Sequence, residues 1–261
     1  MKIISWNVNS IRQRLPRALA LLHRHQPDAL CLQETKVTDE AFPHAELEAA
    51  GYRAAVFGQK SYNGVALVAR DEPADVIRGF PGDPVPGEAR AIAARVGGLA
   101  LVDAYVVNGK DVGDPAYETK LRWLDAFGAW LRDAFDPGDA LLVVGDFNIA
   151  PADPDIYDPD AWRGRNLASE PERDRVRALL DWGLTDLGRR AAGDVPGPYT
   201  FWDYRSGAFH RGWGLRIDLA LGTAPVAARL VSVEVDREER KESSGEGKPS
   251  DHAPVIVTLS D

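Results

Sequence analysis

Apolar residues gather here into short unbroken runs that finish in polar side chains, the pattern of strands covered on both faces. Residues 2 to 8 (KIISWNV) and 28 to 34 (DALCLQE) are two such runs. Between them Leu15, Leu19 and Leu22 recur at helical spacing, which predicts a helix from about Pro16 that Pro27 stops. The unit reads strand, helix, strand.

Further short strands are expected at 52 to 58, 63 to 70, 90 to 96 and 99 to 107, bounded by Gly, Pro and Asn. From Pro115 to Phe135 the residues Tyr117, Leu121, Leu124, Phe127 and Leu131 form one stripe of an amphipathic helix, closed by DPGD. The run ALLVVGD then reads as a strand, residues 150 to 170 as a long loop, and Pro171 to Trp182 as a helix that stops at Gly183. The last third reads as short strands around YTFWDY, RIDLALG, RLVSVEV and APVIVTL. That is more strand than a simple alternating fold carries, so the expected class is α/β with two packed sheets and outer helices, in a single domain over residues 1–261. Residues 236 to 250, polar with Gly and Ser, read as a mobile loop.

Composition narrows this picture. With 261 residues and 44% hydrophobic content, the chain can bury a sizeable core. No run approaches the roughly 18 apolar residues of a membrane span, and the first residues carry no signal pattern, so a soluble, cytoplasmic protein without membrane contact is expected. Cys31 is the only cysteine, which rules out an intrachain disulfide and a thiolate zinc site; it reads as core. The net charge of -9 argues against a nucleic-acid partner, unless carboxylates are gathered for a cation and the arginines lie apart from them.

Candidate chemistry sits where apolar runs end: Asn7 and Asn9, Glu34, Asp146 and Asn148, and Asp251 with His252. Oxygen-bearing side chains of this kind suit a hard cation such as magnesium, for which one or two carboxylates and a substrate phosphate suffice. Any one of them alone is equally well a turn or a cap.

In order along almost the whole chain, SWNVNSIR, LCLQETK, YVVNG, KLRWLDAF, GDFNIAP, DWGLTD, YTFWDYR, RIDLAL and KPSDHAPV resemble the exonuclease III family of abasic-site endonucleases, within the endonuclease, exonuclease and phosphatase superfamily. The resemblance implies a four-layer sandwich of two mixed β-sheets flanked by helices, with the active site where strand ends of both sheets meet. It implies Mg2+, with Mn2+ as a substitute, on Glu34, with Asn9 and Asp251 as partners directly or through water. Asp146 is the preferred group to orient and deprotonate the attacking water, with His252 kept open as the alternative base. Asn148 and Asn7 are expected as amide donors, Asp218 as the carboxylate that holds His252, and Tyr105 as a hydroxyl donor at the scissile phosphate.

Substrate choice must come from elsewhere, because the superfamily shares these residues among DNA nucleases and inositol-phosphate or lipid phosphodiesterases. The segment from Tyr199 to Asp218 is rich in aromatics and arginines and resembles the family's abasic-site loop. Phe201, Leu215 and Ile217 match an apolar pocket for a sugar that has lost its base, with Trp202 and Trp213 as supports or stacking surfaces. Arg205, Arg211 and Arg216, with Arg163 and Arg165, are expected at phosphates. The implied activity is cleavage 5′ to abasic sites in double-stranded DNA, with 3′ to 5′ exonuclease and 3′-phosphodiesterase action, by a monomer. The competing readings are an inositol-phosphate or lipid phosphodiesterase and a non-catalytic DNA-binding relative.

Overall fold

The computed structural model describes residues 1–261. Twelve strands run in chain order: β1 (Lys2–Asn7), β2 (Ala29–Gln33), β3 (Arg53–Phe57), β4 (Val65–Ala69), β5 (Ala74–Arg78), β6 (Ala91–Val96), β7 (Leu99–Tyr105), β8 (Leu141–Asp146), β9 (Leu184–Asp186), β10 (Asp218–Thr223), β11 (Leu230–Val235) and β12 (Val255–Leu259). They form two six-stranded sheets, ordered β11-β12-β1-β2-β4-β3 and β5-β6-β7-β8-β10-β9. Each sheet has a parallel pair at its centre, β1 with β2 and β7 with β8, and antiparallel neighbours on either side.

The unbroken apolar runs have a direct cause. In β1, Ile3 points into the layer between the sheets and Ile4 points outward; in β8, Leu142 and Val144 face that layer while Leu141 and Val143 face out. Helix α1 (Ile11–His25) covers the outer face of the first sheet through Leu21 and Leu22. Helices α2 (His44–Ala49) and α3 (Pro115–Ala134) follow, and Trp123, Phe127 and Leu131 of α3 cover the second sheet. No helix is long and apolar enough to cross a membrane.

Local expectations fail in four places. Helix α1 begins at Ile11 and carries Pro16 inside it. Its first amides are satisfied by distant backbone rather than by a cap: Ser10 N–H donates to the Glu34 carbonyl (2.8 Å) and Ile11 N–H to that of Thr35 (3.1 Å). Strand β5 went unread because it is an exposed, charged sheet edge. YTFWDY is not a strand; Phe201 alone makes isolated bridges, to Leu215 and His252. The 236 to 250 segment forms two 3-10 turns, Arg237–Arg240 and Glu242–Ser244, and is tied down by Arg17 of α1. The fully buried Arg17 guanidinium donates to the carbonyls of Glu239, Lys241, Glu242, Gly245 and Gly247.

Candidate active site

Strand direction brings the polar ends together. The parallel partners β1 and β2 finish side by side with Asn7 opposite Gln33, and β7 and β8 finish with Tyr105 opposite Asp146. Antiparallel β10 starts where β8 ends, pairing Asp218 with Asp146, and Asp251 and His252 lead into β12, the antiparallel neighbour of β1. All of these residues therefore lie at one edge of the sandwich. Gly145 lets the last turn of β8 pack closely: its φ is +135°, and a Cβ there would stand 2.0 Å from the Ala104 carbonyl oxygen. Asn9, Glu34 and Asn148 also hold positive φ, at 44°, 53° and 52°. Such backbone is uncommon outside glycine and concentrates at functional edges.

Asp146 is fixed by three residues through four contacts. Its Oδ1 accepts from the Asn148 backbone N–H (2.8 Å), and its Oδ2 from Asn7 Nδ2 (2.9 Å) and Asn148 Nδ2 (3.4 Å). His252 Nε2 stands 3.7 Å from Oδ2, while its Nδ1 meets Asp218 Oδ2 at 2.9 Å. Burial pushes the Asp146 carboxyl up to about 7, against the pull of the His252 charge. Burial opposes the imidazolium as well, but Asp218 and Asp146 outweigh it and push His252 up to about 10. Burial, Glu34 and Asp146 hold the Tyr105 hydroxyl well above its ordinary value, and the Arg90 guanidinium lies 4.9 Å from its ring centroid.

Asn7 joins this group to a second one, because its Nδ2 also donates to Glu34 Oε1 at 2.8 Å. Asn9 Nδ2 donates to Asp251 Oδ1 (3.0 Å), and the Lys36 ammonium bridges Asn9 Oδ1 (2.5 Å) and Glu34 Oε2 (2.8 Å). Burial would raise the Glu34 carboxyl, but Lys36 and the Asn7 amide overcome it and hold the pKa low.

Two sets of side chains can be tested against a metal ion. Ligand atoms of Asp146, Asp218 and His252 lie within 4.8 Å of one another. An imidazole cationic to about pH 10 has both ring nitrogens protonated and no lone pair to offer, so this set handles protons better than it binds metal. Glu34, Asp251 and the Asn9 amide oxygen are hard oxygen donors, and Lys36 already gives Glu34 and Asn9 a shared cation.

Two further groups, the buried Lys120 and the exposed Asn108, hold the site from behind. Lys120 of α3 sits at the bottom of the site, donating to the carbonyls of Asn148 (2.7 Å) and Asn108 (3.2 Å) and pairing with Glu172. Asn108 Nδ2 in turn donates to Asn148 Oδ1 at 2.9 Å, so the Asn148 side chain is held from behind. A buried lysine is visible in sequence only as one more polar residue on a helix.

Beside His252 lies a cavity of about 350 Å3 lined by Tyr157, Trp162, Phe201, Arg205, Trp213 and Leu215. The Phe201 ring centroid is 4.9 Å from that of His252. Ile217 and Trp202 do not line it: both are buried behind it, and Trp202, at 2% exposed, has no face for stacking on DNA. Arg205 lines the cavity but is held by Asp203 through two bonds to Nε (3.0 and 3.1 Å) and one to Nη2 (2.6 Å). Arg216 is a correction. It is 3% exposed and pairs with Asp155 (2.6 Å) and Asp186 (2.7 Å), which leaves it no route to a phosphate.

A model of the endonuclease/exonuclease/phosphatase family matches residues 4–252. The chain belongs to that family. Exodeoxyribonuclease III of Haemophilus influenzae, 36% identical with 98% of each chain covered, places it in the exonuclease III branch. Among solved structures it is similar to the 3′ phosphatase NExo from Neisseria bound to product DNA hairpin, at 42% identity and TM-score 0.95, with all of both chains covered. It is also similar to an AP endonuclease from Archaeoglobus fulgidus, at 35% identity and TM-score 0.94 over the full length of both. The family is metal-dependent, its exonuclease III branch is made of hydrolytic nucleases, and this chain buries a cluster of acidic groups and a histidine around Asp146.

Proposed function

We propose that the protein is a magnesium-dependent DNA repair hydrolase that cleaves the phosphodiester 5′ to abasic sites and processes 3′ ends. The observation that carries this reading is the placing of Asp146, aimed by Asn7 and Asn148 and backed by the His252–Asp218 pair, beside an apolar cavity walled by Phe201 and Leu215. Asp146, with its pKa near neutral, accepts a proton from the water that attacks phosphorus, and the amides that hold it set the direction of attack. The His252 cation and the Asn148 amide donate to phosphate oxygens as charge builds on them. Tyr105 supplies a neutral hydroxyl donor, which its raised pKa keeps protonated. Magnesium, or manganese in its place, would be held by Glu34 with Asn9 and Asp251, and when bound it neutralises phosphate charge.

The cavity favours a sugar without its base, since apolar walls reward the deoxyribose and offer few partners to a polar base. The relatives support both halves of the proposal, one named as a 3′ phosphatase and another as an AP endonuclease. The test is a duplex with one internal abasic-site analogue and a second duplex ending in a 3′-phosphate, each incubated with magnesium or with chelator. Metal-dependent nicking of the first and phosphate release from the second are expected. Asp146→Asn should lower both rates by about 10²-fold or more, the range of a lost general base, with DNA affinity kept. Near-normal turnover in that variant would remove Asp146 from its role, and inertness of the wild type toward both duplexes would end the proposal.

A further inference from the structure

A cavity of about 750 Å3 lies apart from the cluster around Asp146. Residues between Asp203 and His210, Tyr204 and Phe209 among them, form one part of its wall and the 236 to 250 segment the other, and Arg237, Arg240 and Lys248 bring cationic groups to it. The Arg240 guanidinium lies 4.9 Å from the Tyr204 ring centroid, that of Arg237 4.3 Å from Phe209, and Lys248 Nζ 4.3 Å from Tyr204. Aromatic faces hold cations in place without neutralising them.

Three acidic residues of the same segment are turned to other partners, while Glu242 and Glu246 are exposed and make no ion pair. Asp236 pairs with Arg24 (2.8 Å) and His25 (3.1 Å), Glu238 with Lys241 (2.7 Å), and Glu239 with Arg24 (2.7 Å) and Arg17 (3.3 Å). Of the two carboxylates that line the cavity, Asp203 is held by Arg205, and Glu242 is exposed with no ion pair. Arg237, Arg240 and Lys248 have no carboxylate oxygen within 4.0 Å. Arg240 is the decisive residue of the three: it is 7% exposed, its Nε is buried without a partner, and one Nη2 donor goes to the Trp202 carbonyl at 3.0 Å. A buried cation left this way is costly until an anion completes it.

The wall is also fixed in advance, because Arg17 gathers the carbonyls of Glu239 to Gly247 around one buried guanidinium. It adjoins the catalytic edge through Arg14. Arg14 Nη2 donates to the Tyr204 hydroxyl (2.8 Å) and to the Pro249 carbonyl (3.0 Å), and Nη1 to the Asn9 carbonyl (2.8 Å).

We propose that this cavity is a second nucleic-acid subsite, which seats backbone phosphates of the DNA strand next to the scissile phosphodiester. The proposal rests on the reading of the protein as a DNA hydrolase and adds three residues to it. Phosphate suits the donors, since arginine offers several N–H groups in a fork and lysine a point charge. A DNA strand suits the position, because the wall that carries these cations continues into Asn9 and Asp251, where the strand must pass to be cut.

The test is fluorescence anisotropy of a labelled duplex in chelator, with salt varied, for wild type, Lys248→Glu and the double variant Arg237→Glu/Lys248→Glu. Lys248 is exposed and makes no hydrogen bond, so its variant keeps the fold; Arg122→Glu on the outer face of α3 is the charge-matched control. The slope of log Kd against log salt should fall by about 1 for the single variant and about 2 for the double. Binding by the double variant should be roughly tenfold weaker at 0.1 M salt, with KM raised and kcat retained in the nicking reaction. Slopes and affinities equal to wild type, or equal losses in Arg122→Glu, would overturn the subsite. A wild type that binds with the cavity-dependent slope but makes no nick would uphold the subsite and overturn the hydrolase reading.

Discussion

His252 shows how one residue's chemistry is written by its neighbours. Its pKa, raised to about 10, is set mainly by Asp218 and Asp146 against the opposing effect of burial. The cation is therefore kept through neutral pH and lost as pH rises through that value. Asp218→Asn removes the larger of the two attractions and should move the loss to lower pH. An NMR titration of the imidazole and the alkaline limb of the pH-rate profile should shift together. The Asp146 carboxyl, at about 7, sets the other limb, with activity gained as pH rises through neutrality. Asp103 poses the opposite problem, a carboxyl buried between the sheets that burial pushes well above its ordinary value. Gln33 Nε2 donates to its Oδ1 at 2.6 Å, while Oδ2 and Gln33 Oε1 have no partner. A proton on Oδ2 would supply the missing donor. The folded protein thus favours protonated Asp103, a stability contribution present below the ordinary carboxylate pKa and lost as pH rises through the raised one. Asp103→Asn supplies that donor at every pH. Urea unfolding should find it more stable than wild type at pH 7.5 and nearly equal to it at pH 4.

Among the elements, what could be read in advance was what local pattern determines. The runs ending at Asn7, Glu34 and Asp146 announce strands because side chains on both faces are covered, and the stripe on α3 announces its helix. What could not be read depends on partners far away in sequence. The start of α1 is set by the carbonyls of Glu34 and Thr35, and Arg216 by carboxylates 61 and 30 residues distant. The 236 to 250 segment looks like a loop with no reason to order, since its anchor is Arg17, more than 200 residues earlier. Arg17→Ala should destabilise the fold by about 3–5 kcal/mol, because it leaves the buried Glu239 carboxylate with Arg24 alone and takes the donor from five carbonyls. Hydrogen exchange at residues 239 to 247 should speed up more than in β8. Unchanged exchange there would show that the segment holds itself.

For the molecule as a whole, a net charge of -9 and a DNA partner are compatible because charge is sorted. Asp146, Asp218 and Glu34 gather at the active edge, and cations with no carboxylate partner line the cavity beside Tyr204. The sum over the sequence hides this arrangement. The residue types that meet at the candidate site were legible from strand ends and the ordered motifs; which arginines stay free was not, since that follows from how two sheets and their loops settle against each other.

The position of β12 has a consequence for the making of the protein. This last strand is inserted between β11 and the first strand, β1, and only then do Asp251 and His252 reach Asn9 and Asp146. A chain broken before residue 251 lacks the imidazole and one carboxylate of the candidate site. The candidate site therefore closes only when β12 is seated beside β1, and a chain cut before residue 251 should fail to cleave DNA in the nicking assay.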